Sequence, residues 1–303
     1  MAQPTITTTY AGQFAGEYIG AALLSGNTLA NQLITIKPNI KLKEVIKKVD
    51  YASSIAAGTC DFTSAGTVTL TERILQPDEL QVNLELCKTP FQSDWEAESM
   101  GYSAHDSMPP KFSDFFIARL SADVAQGTEQ RIWGADGFTG LFLAAEFATD
   151  GGTTIAPAAV DAANVIAELG KVVDAIPAAL YGKDDLHIYV SQNIFRAYKR
   201  SLGGFQANGQ GANGYNGQGN NQDIDVQFFD GVKVVAANGL ADDRMVAAEK
   251  SNLFFGTGLL NDQNEVKVLD MSDLDGSKNL RFVMRYTAGV QYGIASDIVF
   301  YGA

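Results

Sequence analysis

Thr67-Val-Thr-Leu-Thr-Glu-Arg-Ile-Leu75, then Gln76-Pro77-Asp78-Glu79, then Leu80-Gln-Val-Asn-Leu-Glu-Leu86: two alternating runs around a short polar turn decide how this chain is read. Alternation of apolar and polar residues is the period of a strand with one buried face. A polar, proline-containing break between two such runs predicts an antiparallel hairpin. Between Tyr51 and Trp95 little apolar mass flanks the pair, so it reads as a projecting arm and not as part of a closed sheet.

Upstream, residues 1–36 carry one charged side chain, Glu17, among Thr, Gly, Ala and Tyr. A weak helical pattern runs from Tyr10 through Phe14 and Tyr18 to Leu24. So small-residue-rich a segment buries little by itself and must lie against something else to be ordered. Residues 34–49 then hold the one basic cluster, Lys37, Lys41, Lys43, Lys47 and Lys48, interleaved with Ile and Val. That pattern suits a solvated strand or helix face, or a patch that meets an acidic neighbour or nucleic acid.

Downstream, Pro109-Pro110 introduces the clearest helix, with Phe112, Phe116, Leu120 and Val124 four residues apart, Ile132 in phase, and Gly134-Ala-Asp-Gly137 as its stop. About 20 residues at 1.5 Å each make a spine of roughly 30 Å. A second helix follows Pro157 and ends before Pro177. Leu186-His-Ile-Tyr-Val190 is a short apolar strand, and Ser191 is placed to cap a helix running to Leu202. Strands are expected at 224–229, 232–237, 245–248, 264–270, 280–288 and 290–301, with Asp230-Gly231 as the first hairpin turn. Gly203–Gln222 holds seven Gly, five Asn, four Gln and no charge, a composition that forms no core and reads as a flexible surface loop. The class is α+β.

The chain has 303 residues, 22 basic and 35 acidic, a net charge of −13, and 46% hydrophobic residues. That length calls for more than one subdomain, and the apolar content excludes global disorder. The acidic balance disfavours tight nucleic-acid binding, which needs Lys and Arg to neutralise phosphates. No run approaches the ~18 apolar residues of a membrane span. The N-terminus lacks a basic, then apolar, secretory pattern, so the cytoplasm is the expected site of synthesis and folding.

Motifs for chemistry fail on context. Gly209-Gln-Gly211-Ala-Asn-Gly214 matches the dinucleotide-binding spacing, but no strand leads in and no helix leads out. Asp273-Leu-Asp275-Gly276 would need a closing Glu where Arg281-Phe282 stands, so it reads as a turn and not a calcium loop. Cys60 and Cys87 lack metal spacing and read as small buried hydrophobes. Of the two histidines, His105 falls in a polar loop, and His187 opens a strand beside Asp184 and Asp185. Asp94, Glu96 and Glu98 alternate as a solvated strand edge does. No catalytic, cofactor-binding or metal-binding residue is assigned, and no cofactor.

The order of parts, from loose N-terminal segment through β-arm, spine helix and α/β subdomain with its glycine loop to closing strands, resembles the major capsid protein of tailed bacteriophages, the Hong Kong 97-like fold. Leu70-Thr-Glu-Arg-Ile-Leu75 with Leu86-Cys-Lys88 and Trp95 is similar to that family's E-loop region. Val160–Leu202, with Asn164, Pro177, Tyr189-Val-Ser191 and Tyr198, resembles its A-domain core. So do Phe229-Asp-Gly-Val-Lys-Val-Val235 (a stretch ending in Val234 and Val235) and Lys250-Ser-Asn-Leu-Phe-Phe-Gly256. Arg285-Tyr-Thr-Ala-Gly-Val-Gln-Tyr292 is similar to its closing strand.

The resemblance implies an N-arm at 1–45, an E-loop hairpin with flanking P-domain strands at 46–100, and a P-domain with spine helix at 101–150. It implies an A-domain at 151–265 containing the 203–222 loop, and closing strands at 266–303. The implied function is self-assembly, as pentamers and hexamers, into an icosahedral capsid enclosing double-stranded DNA, with the protein located in the virion after assembly in the host cytoplasm. Implied partners are further copies of itself, a portal, a decoration protein and, because no charged helical segment precedes the N-arm, a separate scaffolding protein. DNA would be touched only weakly and no membrane is involved. Two alternatives share some of these features: an encapsulin-like nanocompartment shell, and a small α+β hydrolase built around His187 with Asp184 or Asp185.

Overall fold

A computed structural model describes residues 27–51, 68–87, 110–201, 226–258, 267–272 and 276–302. In chain order these form α1 (Asn27–Ala30), β1 (Thr35–Lys37), β2 (Glu44–Tyr51), β3 (Val68–Leu75), β4 (Asp78–Cys87) and the long helix α2 (Pro110–Trp133). Next come α3 (Phe138–Leu143), α4 (Ala145–Thr149), β5 (Thr153–Ile155), α5 (Val165–Asp174), β6 (Leu186–Val190) and α6 (Gln192–Ser201). The remainder is β7 (Val226–Phe229), β8 (Val232–Ala236), β9 (Met245–Glu249), β10 (Leu253–Gly256), β11 (Lys267–Asp270), β12 (Asn279–Tyr292) and β13 (Val299–Tyr301).

Among the described residues, strands gather into three sheets. The largest runs β5-β13-β9-β6-β8-β7, with β6 parallel to β8 and antiparallel to β9. Its inner strands β13, β9, β6 and β8 are mostly apolar and buried, because both faces are covered. Ile188, Val190, Val234, Ala236, Ala247 and Tyr301 pack on one side with Val165, Leu169 and Val172 of α5 and Ile194 and Tyr198 of α6. Tyr189, Val235, Val246, Ala248 and Phe300 point to the other side, into a core with Trp133, Phe138, Phe142 and Phe147. The second sheet is centred on the 14-residue β12. One edge of β12 pairs with β4 from Asn279 to Ala288, and the other pairs with β11 and then β10. Leu280, Phe282, Met284, Tyr286 and Ala288 alternate inward, each under 8% exposed, as period 2 requires. The third sheet is the two-stranded ribbon β2–β3.

The helix expected after Pro109-Pro110 forms, 24 residues long, and buries Leu120, Val124 and Ile132. Asp230-Gly231 makes the predicted hairpin turn, both residues at positive φ (51° and 83°) as a two-residue hairpin demands.

Four expectations need correcting. The two opening runs are both strands, but they do not pair with each other. β3 turns back on β2, while β4 crosses into the second sheet, where β12 offers a ten-residue partner and a buried place for Leu86. The break expected between strands at 280–288 and 290–301 is absent: β12 continues to Tyr292, and the break comes later, at a 3-10 turn over Ala295–Asp297 that leads to β13. The helix after Pro157 starts only at Val165, because the Asp161 carboxylate accepts the amides of Ala163 and Asn164 and holds a turn there. Ser191 does not cap α6 with its hydroxyl, which donates to Asn193 Oδ1 at 2.5 Å; that same Asn193 oxygen accepts the Ile194 amide.

Candidate functional site

The end of the basic cluster, Lys47 and Lys48, and the first alternating run meet in the ribbon β2–β3. Eight residues per strand at about 3.3 Å each give a ribbon roughly 26 Å long. Its register pairs Val45 with Ile74, Lys47 with Glu72, Val49 with Leu70, and Tyr51 with Val68. Side chains alternate across a strand, so Val45, Lys47, Val49, Val68, Leu70, Glu72 and Ile74 share one face. The apolar members stay open to solvent: Val45 39%, Val49 43%, Val68 59%, Leu70 71% and Ile74 45% exposed. An isolated two-stranded ribbon is marginal in water, and exposed apolar side chains gathered on one face, here divided by the Lys47–Glu72 pair, mark a contact surface. Five Lys against Glu44 and Asp50 make residues 37–51 basic within an acidic chain.

The root of the ribbon is fixed where its tip-ward face is not. Leu75 is fully buried and packs with Ile40 against Gly256. Arg73 lies with its guanidinium 4.1 Å from the centre of the Tyr292 ring. Its Nε donates to the Gly293 carbonyl at 3.2 Å, and its terminal nitrogen pairs with Asp150. Gln291 Nε2 donates to the Ile74 carbonyl at 3.0 Å. At the start of β2, Glu44 pairs with Lys37, whose ammonium lies over Phe254 at 5.1 Å. Sequence reasoning passed over Arg73 and Gln291 because their partners lie more than 200 residues away in two cases and 77 in the third. The only local signal is an Arg in the last turn-ward positions of a strand otherwise free of bases.

The residues weighed for chemistry do not converge. His187 sits in β6 at 9% exposure, and its Nδ1 donates to the Asp185 backbone carbonyl at 2.9 Å, not to a carboxylate. The Asp185 carboxylate instead accepts the Ser251 amide at 3.0 Å, and Asp184 faces solvent. Burial pushes the His187 imidazole below its ordinary value, and Lys233 adds to that. The histidine–aspartate pair on which a hydrolase would rest is therefore not assembled. Cys87 ends β4 half-buried, not fully buried as expected. Cys60, Asp94, Glu96, Glu98, His105, the Gly209–Gly214 motif, the Gly203–Gln222 loop and Asp273–Asp275 lie outside the described residues. Among the described residues no three His, Cys, Asp or Glu side chains gather as metal ligands, and no helix is long and apolar enough to cross a membrane.

No family model and no curated protein matches the sequence. Solved structures do match in fold. The capsid of a native GTA particle superposes with a TM-score of 0.60 at 14% identity, over 97% of this chain and 96% of that one. A structure from Gordonia phage Cozz gives 0.59 at 13% identity, over 100% and 99%. The capsid of the cyanophage P-SCSP1u gives 0.56 at 12%, over 97% and 93%. The chain has the mixed α/β fold of phage capsid proteins, in agreement with the resemblance drawn from its sequence.

Proposed function

We propose that this chain is the major capsid protein of a tailed phage or phage-like particle, a structural subunit that assembles as pentamers and hexamers into an icosahedral shell around double-stranded DNA. The observation that carries the reading is the pairing of a capsid fold along nearly the whole chain with a ribbon that leaves five apolar side chains of one face exposed. In this reading the ribbon β2–β3 is part of the E-loop, and α2 is the spine helix. The sheet around β12 belongs to the P-domain, the sheet around β6 belongs to the A-domain, and the segment leading to Asn27 is the N-arm.

A shell subunit must reach beyond its own body, since compact bodies touch only along their edges. The ribbon does so by laying Val45, Val49, Leu70 and Ile74 on a second copy. Burying an exposed Val or Leu contributes roughly 1.5–3 kcal/mol, and linkage around a closed ring multiplies contacts that are weak singly. The basic side chains of residues 37–51 suit an otherwise acidic neighbour. The same acidity suits a wall along which DNA slides without being gripped.

The test is electron microscopy and nuclease protection on particles purified from cells that make the protein together with its neighbouring genes. Closed shells holding nuclease-resistant double-stranded DNA support the proposal. Shells enclosing a protein cargo and no DNA would replace it with a nanocompartment, and the absence of any shell would overturn it.

A further inference from the structure

Helix α2 carries Glu129 at 3% exposure, and every group that acts on its ionisation is neutral. From α1, the Thr28 amide donates to Oε2 at 3.2 Å and the Thr28 hydroxyl donates to Oε1. From the β8–β9 connection comes the Gly239 amide. From its own helix comes Trp133, whose indole donates to Thr28 Oγ1 at 2.8 Å. Beyond Trp133 lies Tyr189 of β6, its ring centroid 5.0 Å away; its hydroxyl donates to the Leu33 carbonyl at 2.5 Å, and burial holds it far above its ordinary value, hence neutral. Gly239 is there because a Cβ would stand 2.0 Å from the Glu129 carbonyl oxygen, so only glycine brings that backbone close enough.

The cluster joins parts far apart in sequence. Asn27 donates to the Ala236 carbonyl and its Oδ1 receives the Asn238 amide at 3.4 Å, while the Leu33 amide closes on the Thr28 carbonyl at 2.9 Å. Residues 27–34 are thus clipped to both the long helix and the six-stranded sheet, with the carboxylate at the centre of the clip. A buried carboxylate without a cation is costly when charged, and the donors aimed at Glu129 offset that cost only in part. We propose that Glu129 is a proton-operated latch: neutralising it tightens the hold of residues 27–34 on α2, and ionising it loosens that hold.

Burial pushes the Glu129 carboxyl above its ordinary value of 4.5, and the hydrogen bonds from Thr28, Gly239 and Trp133 offset this only in part. Once the latch opens, water reaches the group and its ordinary value returns. Between the two values the closed form holds a proton that the open form releases, so opening becomes more favourable as pH rises, by about tenfold per unit. Above the buried value the dependence ends.

Hydrogen exchange on the full chain tests this through the Leu33 amide, corrected for intrinsic rates, from pH 4.5 to 7.5. A parallel fluorescence titration of Trp133 uses a Trp95→Phe background. The expected result is protection at Leu33 that falls as pH rises, with Trp133 emission changing at the same midpoint. Glu129→Gln flattens both profiles, and Thr28→Val moves the midpoint upward because donors favouring the charged form are lost. Flat protection in the unsubstituted chain, or an unchanged pH profile in Glu129→Gln, would overturn the latch. Should Glu129→Gln not fold, the profile of the unsubstituted chain and the direction of the Thr28→Val shift decide. None of these readings depends on whether the chain assembles, so the latch and the shell proposal stand or fall separately.

Discussion

Arg73 makes three contacts that no shorter base can reproduce: a stack on Tyr292, a bond to the Gly293 carbonyl and a pair with Asp150. The Asp150 carboxylate is nearly half exposed, so solvent screening leaves the ion pair little weight, and the stack carries most of the effect. Arg73→Ala should cost about 1–2 kcal/mol in urea unfolding and speed exchange of the β3 amides nearest Leu75. Lysine in its place should recover little, since it loses both the planar stack and the forked donor. His187 gives a pH prediction with a definite sign. Burial first, then Lys233 and Lys250, hold its imidazole below the ordinary value of 6.5, against the opposing influence of the Asp185 carbonyl and carboxylate. The unfolded chain therefore takes up the proton first. The stabilisation is complete above pH 6.5 and is lost as pH falls through the folded value. Unfolding free energies measured from pH 7 to 5 should decline in the unsubstituted chain and decline less steeply in His187→Leu.

At the scale of elements, the alternation from Val68 to Leu86 marked both strands correctly and misled only on their pairing. Alternation says which side chains share a face. It says nothing about which neighbour supplies the hydrogen bonds. β4 has a partner in β12 nearly 200 residues on, and no local pattern announces it. The helix at Pro110–Trp133 was legible because its apolar residues repeat at four and its stop is two glycines. The short strands β1, β5 and β10 were not legible, being three or four residues long and held by long-range pairing. For the candidate site, the lysines and the first alternating run were visible, but the shared apolar face appears only once β2 and β3 are in register. That face yields its own prediction. Val49→Lys with Leu70→Glu, opposite charges on paired positions, should leave monomer stability within about 0.5 kcal/mol, as surface changes do, while abolishing assembly. Equal particle yields for this variant and the unsubstituted chain, counted in electron micrographs, would remove the ribbon from the account.

For the whole molecule, the two sheets and α2 form a body stabilised from within, and the feature without internal purpose faces outward: the exposed apolar side chains of a ribbon with a fixed root. A protein acting alone has no use for such a surface, whereas a subunit of a closed shell does. Sedimentation velocity on the purified chain measures this most directly, because it reports mass and shape together. The account predicts megadalton particles or rings of five or six chains, each chain of 32.4 kDa. A compact monomer with a low frictional ratio, and no larger species at any concentration, would contradict it.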